Sequence, residues 1–347
     1  MTYDLEDNKI TFSQIPNSHI LILGKSGMGK TFFLCRKMEE YIYIKRQVII
    51  FDYSGSYTRE ELVKNKFQYL DRVRVSNPIN GSIDFKFVNN YLPSNIVNAL
   101  FKIIIKRGYY QKKLLKEAVN VIFKNNEKFS FPNLIRILEL LRDLKEEEEE
   151  KKNILHLLSK FDVYSELENI LISPCGESDI VEPGVWIIQL SDYAEIQRKF
   201  CVEFLAELFW QEVRTGEKGG NIFIFDEFQN IDLKPGSALS AMLREGRKYQ
   251  LSVWLASQFL GNYDREAVDT LMQVGHKIFF RPTENDEKII ADFINSNESK
   301  IWTKILRKLS VGEAVLKGNY FINSGTKEVE TPIICKIESN GGGVKKN

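Results

Sequence analysis

Eight residues near the start of the chain have the types and spacing of a phosphate-binding loop. They run from Gly24 to Thr31 and fit the pattern G-x-x-x-x-G-K-[ST]. Gly24, Gly27 and Gly29 let backbone N–H groups approach phosphate oxygens, and the following helix presents its positive end to the same anions. Lys30 would reach the β- and γ-phosphates, and the Thr31 hydroxyl would bind Mg²⁺. The pattern therefore predicts a site for ATP and Mg²⁺.

We expect the whole loop and the first helical residues to contact the nucleotide. These residues are Gly24, Lys25, Ser26, Gly27, Met28, Gly29, Lys30, Thr31 and Phe32.

A pair of carboxylates, Asp226 and Glu227, follows an apolar run at residues 222–225. Asp226 would hold Mg²⁺ through its water shell, and Glu227 would polarise the attacking water as a general base. Acidic pairs also cap helices, but together with the loop this pair indicates ATP hydrolysis. A glutamate beside the aspartate points to repeated hydrolysis that is coupled to mechanical work.

Gln258 ends the next apolar run, where its amide would sense the γ-phosphate or orient the water. The alternative is an ordinary polar strand end. Stabilising the transferring phosphoryl group also needs a cation, for which Arg244, Arg247 and Arg281 are the candidates. Arg247 could reach a neighbouring subunit's nucleotide as an arginine finger, and surface salt bridges are the alternative for each arginine.

These residues need a sheet that brings strand ends together. Apolar runs at 20–23, 47–52, 184–191, 221–227, 251–258 and 277–281 alternate with helical segments such as 32–45, which argues for a parallel sheet. The predicted fold class is α/β, a P-loop NTPase (RecA-like) parallel sheet with helices on both faces and an all-α insert. A short strand at 72–75 and a turn at Pro78 and Asn80-Gly81 precede the insert.

The predicted domain organisation is a nucleotide-binding core that is interrupted by the insert. Its parts are a first core segment at 1–90, the helical insert at 91–171, a second core segment at 172–338 and a flexible tail at 339–347.

Length, composition and charge exclude several classes of protein. The chain has 347 residues, 43% hydrophobic content and a formal net charge of +1, so it can bury a core but has no global basic field. The four cysteines, Cys175 among them, and the three histidines are dispersed, which argues against a zinc site or a disulfide framework. No apolar stretch approaches the roughly 20 residues of a membrane span, and the N-terminus is acidic. We expect a cytoplasmic protein without stable membrane insertion.

Two segments could contact a nucleic acid. Residues 106–113 mix basic and aromatic side chains, and residues 232–237 follow the acidic pair and could line a channel. The alternative for 106–113 is a solvated helix face, and the charge run at 145–152 is assigned no chemistry.

Several of these segments together resemble the HerA–FtsK superfamily of ring-forming, DNA-pumping ATPases, and they look closest to the HerA branch. They are residues 17–31, 52–57, 225–227, 245–248, 256–258 and 311–318. The resemblance implies a homohexamer with ATP at subunit interfaces, double-stranded DNA in a central channel, and a nuclease or other effector as partner in DNA processing or antiviral defence. Because Gly24 lies so near the start, we expect no room for the N-terminal β-barrel that HerA proteins commonly have.

Two other functions stay open. One is a conjugation- or secretion-type ATPase that works on a membrane channel, and the other is a nucleotide-controlled assembly platform for a partner effector.

Overall fold

The computed structural model describes ten stretches of the chain. They are residues 2–3, 10–12, 18–77, 93–168, 170, 184–215, 221–261, 263–322, 327–329 and 331–337. The predicted turn at Pro78 and Asn80-Gly81, Cys175, the ends of the predicted insert at 91 and 171 and the predicted tail at 339–347 lie outside these residues.

Within the described residues, ten strands form one mixed sheet and three form a second, smaller sheet. The strands are β1 Thr2–Tyr3, β2 Ile10–Phe12, β3 Ile20–Leu23, β4 Val48–Asp52, β5 Val73–Ser76, β6 Val185–Gln189, β7 Ile222–Asp226, β8 Ser252–Ser257, β9 His276–Phe280, β10 Glu313–Lys317, β11 Tyr320–Ile322, β12 Lys327–Val329 and β13 Ile333–Lys336. The large sheet has the order β1-β13-β10-β9-β3-β8-β7-β4-β6-β5, and the small one β12-β11-β2.

The centre of the large sheet is parallel, as predicted. Strands β9, β3, β8, β7, β4, β6 and β5 pair in parallel along this order. Every residue of β3, β4, β7 and β8 is buried, which is why these strands read as continuous apolar runs. Their carboxyl ends therefore lie along one edge of the sheet.

One side of the sheet departs from the expected parallel arrangement, because β10 pairs antiparallel with both β9 and β13. Two helices lie between β9 and β10 and pack against each other. The first carries the chain back across the sheet and the second returns it to the same edge, so β10 has to run in the opposite direction to β9.

Helices cover both faces of the large sheet. They are α1 Lys30–Tyr43, α2 Arg59–Lys64, α3 Pro93–Leu100, α4 Tyr109–Lys124, α5 Phe131–Leu144, α6 Glu148–Phe161, α7 Glu195–Thr215, α8 Ala238–Glu245, α9 Arg265–Met272, α10 Glu287–Asn295 and α11 Ser299–Lys308. Alternate residues of β3 belong to two different hydrophobic cores, Leu21 and Leu23 to one and Ile20 and Ile22 to the other. The prediction of an α/β fold with helices on both faces is confirmed.

Helices α3 to α6 follow one another between β5 and β6, where the sequence predicted helices. They are joined to α7 by an aromatic cluster in which the ring centroids of Phe131 and Phe200 are 5.3 Å apart and those of Tyr164 and Phe200 are 4.4 Å apart. The same hydrophobic core continues from these helices to the sheet. The proposed domain boundaries themselves stay a prediction.

This packing predicts that the aromatic cluster stabilises the chain. Phe131 is fully buried at the start of α5, so Phe131→Ala should lower the free energy of unfolding by about 3–5 kcal/mol. Leu140→Ala on the exposed side of the same helix is the control and should change it by less than about 0.5 kcal/mol. Urea unfolding followed by tryptophan fluorescence measures both, and equal effects would contradict this account of the packing.

Candidate nucleotide-binding site

The predicted phosphate-binding loop lies between the carboxyl end of β3 and the start of α1. Gly24, Gly27 and Gly29 have φ angles of 155°, 76° and 107°, which residues other than glycine rarely adopt. Gly29 caps α1 in the left-handed conformation, so the first helical residue is Lys30. The strand–loop–helix context that the pattern requires is present.

Neighbouring strands hold the loop from two directions. A Cβ atom on Gly24 would lie 2.5 Å from the Cβ of Phe280, at the end of β9, so this position has no space for a side chain. On the other side, the N–H of Gly312, just before β10, donates to the carbonyl of Met28 at 3.0 Å. The loop is therefore packed against both β9 and the segment that leads into β10.

The loop has the donors that a triphosphate requires. The backbone N–H groups at the start of α1 have no carbonyl partner within the helix, and no side chain caps them, so they can donate to an anion. The Nζ of Lys30 donates to the carbonyls of Gly24 at 2.5 Å and Lys25 at 3.2 Å, which folds the ammonium over the loop. Thr31 follows it at the partly exposed first turn of α1. These residues fit the phosphates and metal of a bound nucleotide.

Asp226 ends β7 and lies close enough to the loop for its charge to act on Lys30. Burial, together with the charges of Glu227 and Asp52, raises the pKa of Asp226 to about 7, while the ammonium of Lys30 lowers it. Burial lowers the pKa of Lys30, and the charges of Glu227 and Asp226 act in the opposite direction. The site is thus a buried cluster of carboxylates and one ammonium, and a divalent cation would relieve its excess of negative charge.

The turn after β4 lies at the same edge and is organised by Asp52. The Asp52 carboxylate accepts hydrogen bonds from the backbone N–H groups of Gly55, Ser56 and Tyr57 at 2.8–3.0 Å. The hydroxyl oxygen of Ser54 lies 3.5 Å from Oδ2 of Asp226. Asp52 therefore shapes the turn, and the turn brings the Ser54 hydroxyl to the second carboxylate.

Glu227 has a left-handed backbone, with φ 54° and ψ 42°, and both of its carboxylate oxygens are held. Nε2 of Gln258 donates to Oε1 at 2.8 Å, and Nε2 of Gln229 donates to Oε2. The Ser257 hydroxyl in turn donates to Oε1 of Gln229 at 2.6 Å. The structure therefore brings Glu227 and Gln258 together, with the Gln258 amide directed at the carboxylate.

The three candidate arginines lie at two different edges of the sheet. Arg281 follows β9 at the edge of the loop, and its carbonyl accepts from the N–H of Lys25 at 3.0 Å. Arg244 and Arg247 precede β8, so they lie towards the amino ends of the strands, where Gly246 approaches His19 before β3. The six residues of β8 span about 20 Å. Arg244 and Arg247 therefore do not meet the loop of their own chain.

The residues that support the site were not among those predicted from the sequence. Gln229 could have been recognised as a second amide two residues beyond Glu227, and Ser54 as a hydroxyl near a strand end. The contacts of Phe280 and Gly312 with the loop left no local signal, because they join residues that are far apart in the chain. Among the described helices, none is both long and apolar enough to cross a membrane.

Comparison with known proteins gives a family match over more than half of the chain. The model of the family described as "Helicase HerA, central domain" matches residues 7–209, which include the loop and the turn after β4. Asp226 and Glu227 lie beyond the matched residues.

Two curated proteins are similar along most of the chain. The DNA double-strand break repair helicase HerA of Sulfurisphaera tokodaii is 25% identical over 93% of this chain. The probable helicase MJ1565 of Methanocaldococcus jannaschii is 22% identical over 96% of it. Each match covers 65% of the relative, so this chain corresponds to just under two thirds of their length.

Solved structures share the fold at low identity. VirB4 of Thermoanaerobacter pseudethanolicus superposes with a TM-score of 0.65 at 17% identity, covering 94% of this chain and 90% of that one. The plasmid coupling protein TrwB, in complex with ADP and Mg²⁺, gives 0.66 at 16% identity, covering 95% and 87%.

The electrostatics of the site predict a pH-dependent stability. The folded pKa of Asp226, about 7, lies above its ordinary value of 3.8, so the folded state binds more protons than the unfolded state between these pH values. The contribution of Asp226 to stability is therefore lost as the pH rises from about 4 to 7.

Asp226→Asn should abolish this loss. In nucleotide- and metal-free protein, the melting temperature of the variant relative to wild type should increase steadily over that pH range. Asp269→Asn, on the exposed side of α9, is the control and should melt in parallel with wild type. A constant difference between Asp226→Asn and wild type would show that Asp226 does not titrate in this range.

Proposed function

The chain belongs to the family of the HerA helicase central domain and is a HerA/FtsK-like P-loop ATPase; on this premise we propose that it is an ATP-hydrolysing ring motor that translocates double-stranded DNA. The observation that carries the proposal is the convergence of Lys30, Asp226 and a Glu227 held on both oxygens at one edge of the sheet. The name of the Sulfurisphaera relative, a DNA double-strand break repair helicase, supports DNA as the substrate, and the Methanocaldococcus relative is named a probable helicase.

Each residue of the site has a distinct task in this proposal. The backbone N–H groups of the loop and of the start of α1, together with the Lys30 ammonium, bind the β- and γ-phosphates. Thr31 and Asp226 hold the Mg²⁺ that accompanies ATP, and this ion neutralises charge on the phosphates. Glu227 accepts the proton of the attacking water, while Gln258 and Gln229 fix the direction of its carboxylate.

The position of Arg247 favours an assembly in which neighbouring subunits complete each site. This exposed side chain lies at the edge opposite the loop of its own chain, so it can stabilise a transferring phosphoryl group only at a site on another subunit. Arg281 lies on the edge of the loop and would act within its own subunit. We propose a homohexameric ring with ATP between subunits and the DNA duplex in the channel.

A second protein that cuts or trims DNA suits a motor of this kind. The Sulfurisphaera relative is named for double-strand break repair, in which broken ends are processed. On this basis we include a nuclease or other effector as a partner in DNA processing, and antiviral defence rests only on the resemblance to the HerA–FtsK superfamily. Co-purification of the full chain with proteins of its own cell, followed by a nuclease assay of the complex with and without ATP, tests this part.

Two variants test hydrolysis. Lys30→Ala should lose ATP binding, whereas Glu227→Gln should bind ATP and hydrolyse it about 10²–10⁴-fold more slowly, because only the general base is removed. ATP turnover with and without long duplex DNA and binding of a fluorescent ATP analogue are the measurements. Lys64→Ala, at an exposed position of α2, is the control and should match wild type.

Duplex DNA should accelerate ATP turnover by the wild-type chain. Identical turnover with and without duplex DNA would contradict the motor, and full activity of Glu227→Gln would contradict the assigned base.

Mixing variants tests the arginine in trans. Arg247→Ala should reduce turnover by about 10³-fold or more, as loss of an arginine finger does. Adding Lys30→Ala subunits should restore part of the activity, because they offer an intact Arg247 to sites that retain Lys30. Lys248→Ala, the exposed basic neighbour of Arg247, is the matched control, and Arg244→Ala tests the other candidate on the same edge. Absence of recovery on mixing would contradict action between subunits.

A further inference from the structure

A sharp turn joins α3 to α4 and projects two aromatic side chains. After α3 the chain forms a short π-helical turn at Phe101–Ile105, and then Lys106 and Gly108 take positive φ angles of 63° and 115° before α4 begins at Tyr109. We call residues 106–113 the basic-aromatic turn. Its base is fixed, since Gln111 donates to Oδ1 of Asn153 on α6 at 2.7 Å.

The two tyrosines of this turn do not pack against the core and are largely exposed to solvent. Tyr109 is 81% and Tyr110 60% exposed, and their ring centroids lie 5.8 Å apart, edge to face. The core-facing side of α4 begins only at Leu114 and Leu115. A solvated helix face would carry charged side chains here, whereas two adjacent exposed rings offer apolar surface to a ligand.

Positive charge surrounds the rings. Lys106, Arg107, Lys112 and Lys113 are all exposed, and Lys112 lies 5.0 Å from the centroid of Phe101. Within the described residues, neither Arg107 nor Lys113 forms an ion pair. The surface is therefore complementary to a ligand that combines flat rings with anionic groups.

Electrostatic contacts place this turn beside the segment that follows the acidic pair. Burial raises the pKa of Glu203 on α7, and a backbone hydrogen bond from Asp232 and the charge of Lys106 are among the effects that lower it. Lys106 and Asp232 therefore both lie near Glu203, and Lys234 in the segment 232–237 is exposed.

We propose that the basic-aromatic turn binds an unpaired DNA strand, with Tyr109 and Tyr110 stacking on bases and the basic side chains contacting phosphates. This inference rests on the proposed function and extends it to tailed or opened DNA ends. Exposed rings distinguish an unpaired strand from a duplex, because duplex bases are already stacked on each other and shield their faces. Basic residues alone would bind either form.

The test uses the full chain with a non-hydrolysable ATP analogue and two fluorescent probes, a blunt duplex and the same duplex with a 20-nucleotide single-stranded tail. The double variant Tyr109→Ala/Tyr110→Ala should weaken binding of the tailed probe by at least about 10-fold, since stacking on one base contributes roughly 1–3 kcal/mol. Binding of the blunt duplex should not change. Tyr109→Phe/Tyr110→Phe keeps both rings and should behave as wild type.

Salt dependence separates the ionic contacts from the stacking. For the tail, Arg107→Gln/Lys113→Gln should reduce the slope of log K against log salt by roughly 0.7 for each phosphate that the variant no longer neutralises. The tyrosine-to-alanine variant should lower affinity with an unchanged slope, because no charge is removed.

Several outcomes would overturn the proposal. Equal affinity of wild type for both probes, unchanged tail binding by the alanine variant, or equal loss on both probes would each exclude stacking on an unpaired strand. Dissociation of the ring by the alanine variant, seen by native mass spectrometry without DNA, would identify the turn as a contact between copies of the chain. Normal stimulation of ATP turnover by blunt duplex would leave the motor intact in these cases, whereas no stimulation by any DNA would contradict the proposed function itself.

Discussion

A buried lysine and a buried aspartate share one edge of the sheet, and each makes burial of the other less costly. Without Asp226 and Glu227 nearby, the Lys30 ammonium would be a buried charge with no opposite charge to compensate it. Without Lys30, the carboxylates of Asp52, Asp226 and Glu227 would only repel one another. This balance requires β3 and β7 to end at the same level, on either side of β8. The parallel register of these strands therefore brings Lys30 and Asp226 to the same edge, whatever the conformation of the loops.

Local patterns predicted what depends on local chemistry. The glycines and Lys30 were predictable because a turn that exposes N–H groups needs these residues in this order, and the strands were predictable because burial on both faces leaves continuous apolar runs. Contacts between distant segments were not predictable. Gly24 lacks space because of Phe280, and Glu227 is held by Gln229 as well as Gln258, yet neither pairing follows from any periodicity.

The number of helices between β9 and β10 determines the direction in which β10 runs. The sequence predicted a segment like the family's terminal strands at 311–318 but not its direction, which follows from two helices between β9 and β10 instead of one. The result places Gly312 against Met28, so the strands at this side of the sheet touch the phosphate-binding loop. A movement of the loop on nucleotide binding would therefore act on β10 and β13 as well as on α1.

At Glu227 the residue that suits the left-handed backbone differs from the residue that the proposed hydrolysis requires. Glycine or asparagine would relieve roughly 1–2 kcal/mol of backbone strain there. A sequence selected for folding alone would drift away from glutamate at this position, whereas one selected for turnover would retain it. Stabilising this protein by consensus or computational redesign would therefore meet a trade-off at residue 227, where the more stable residue would remove the proposed general base.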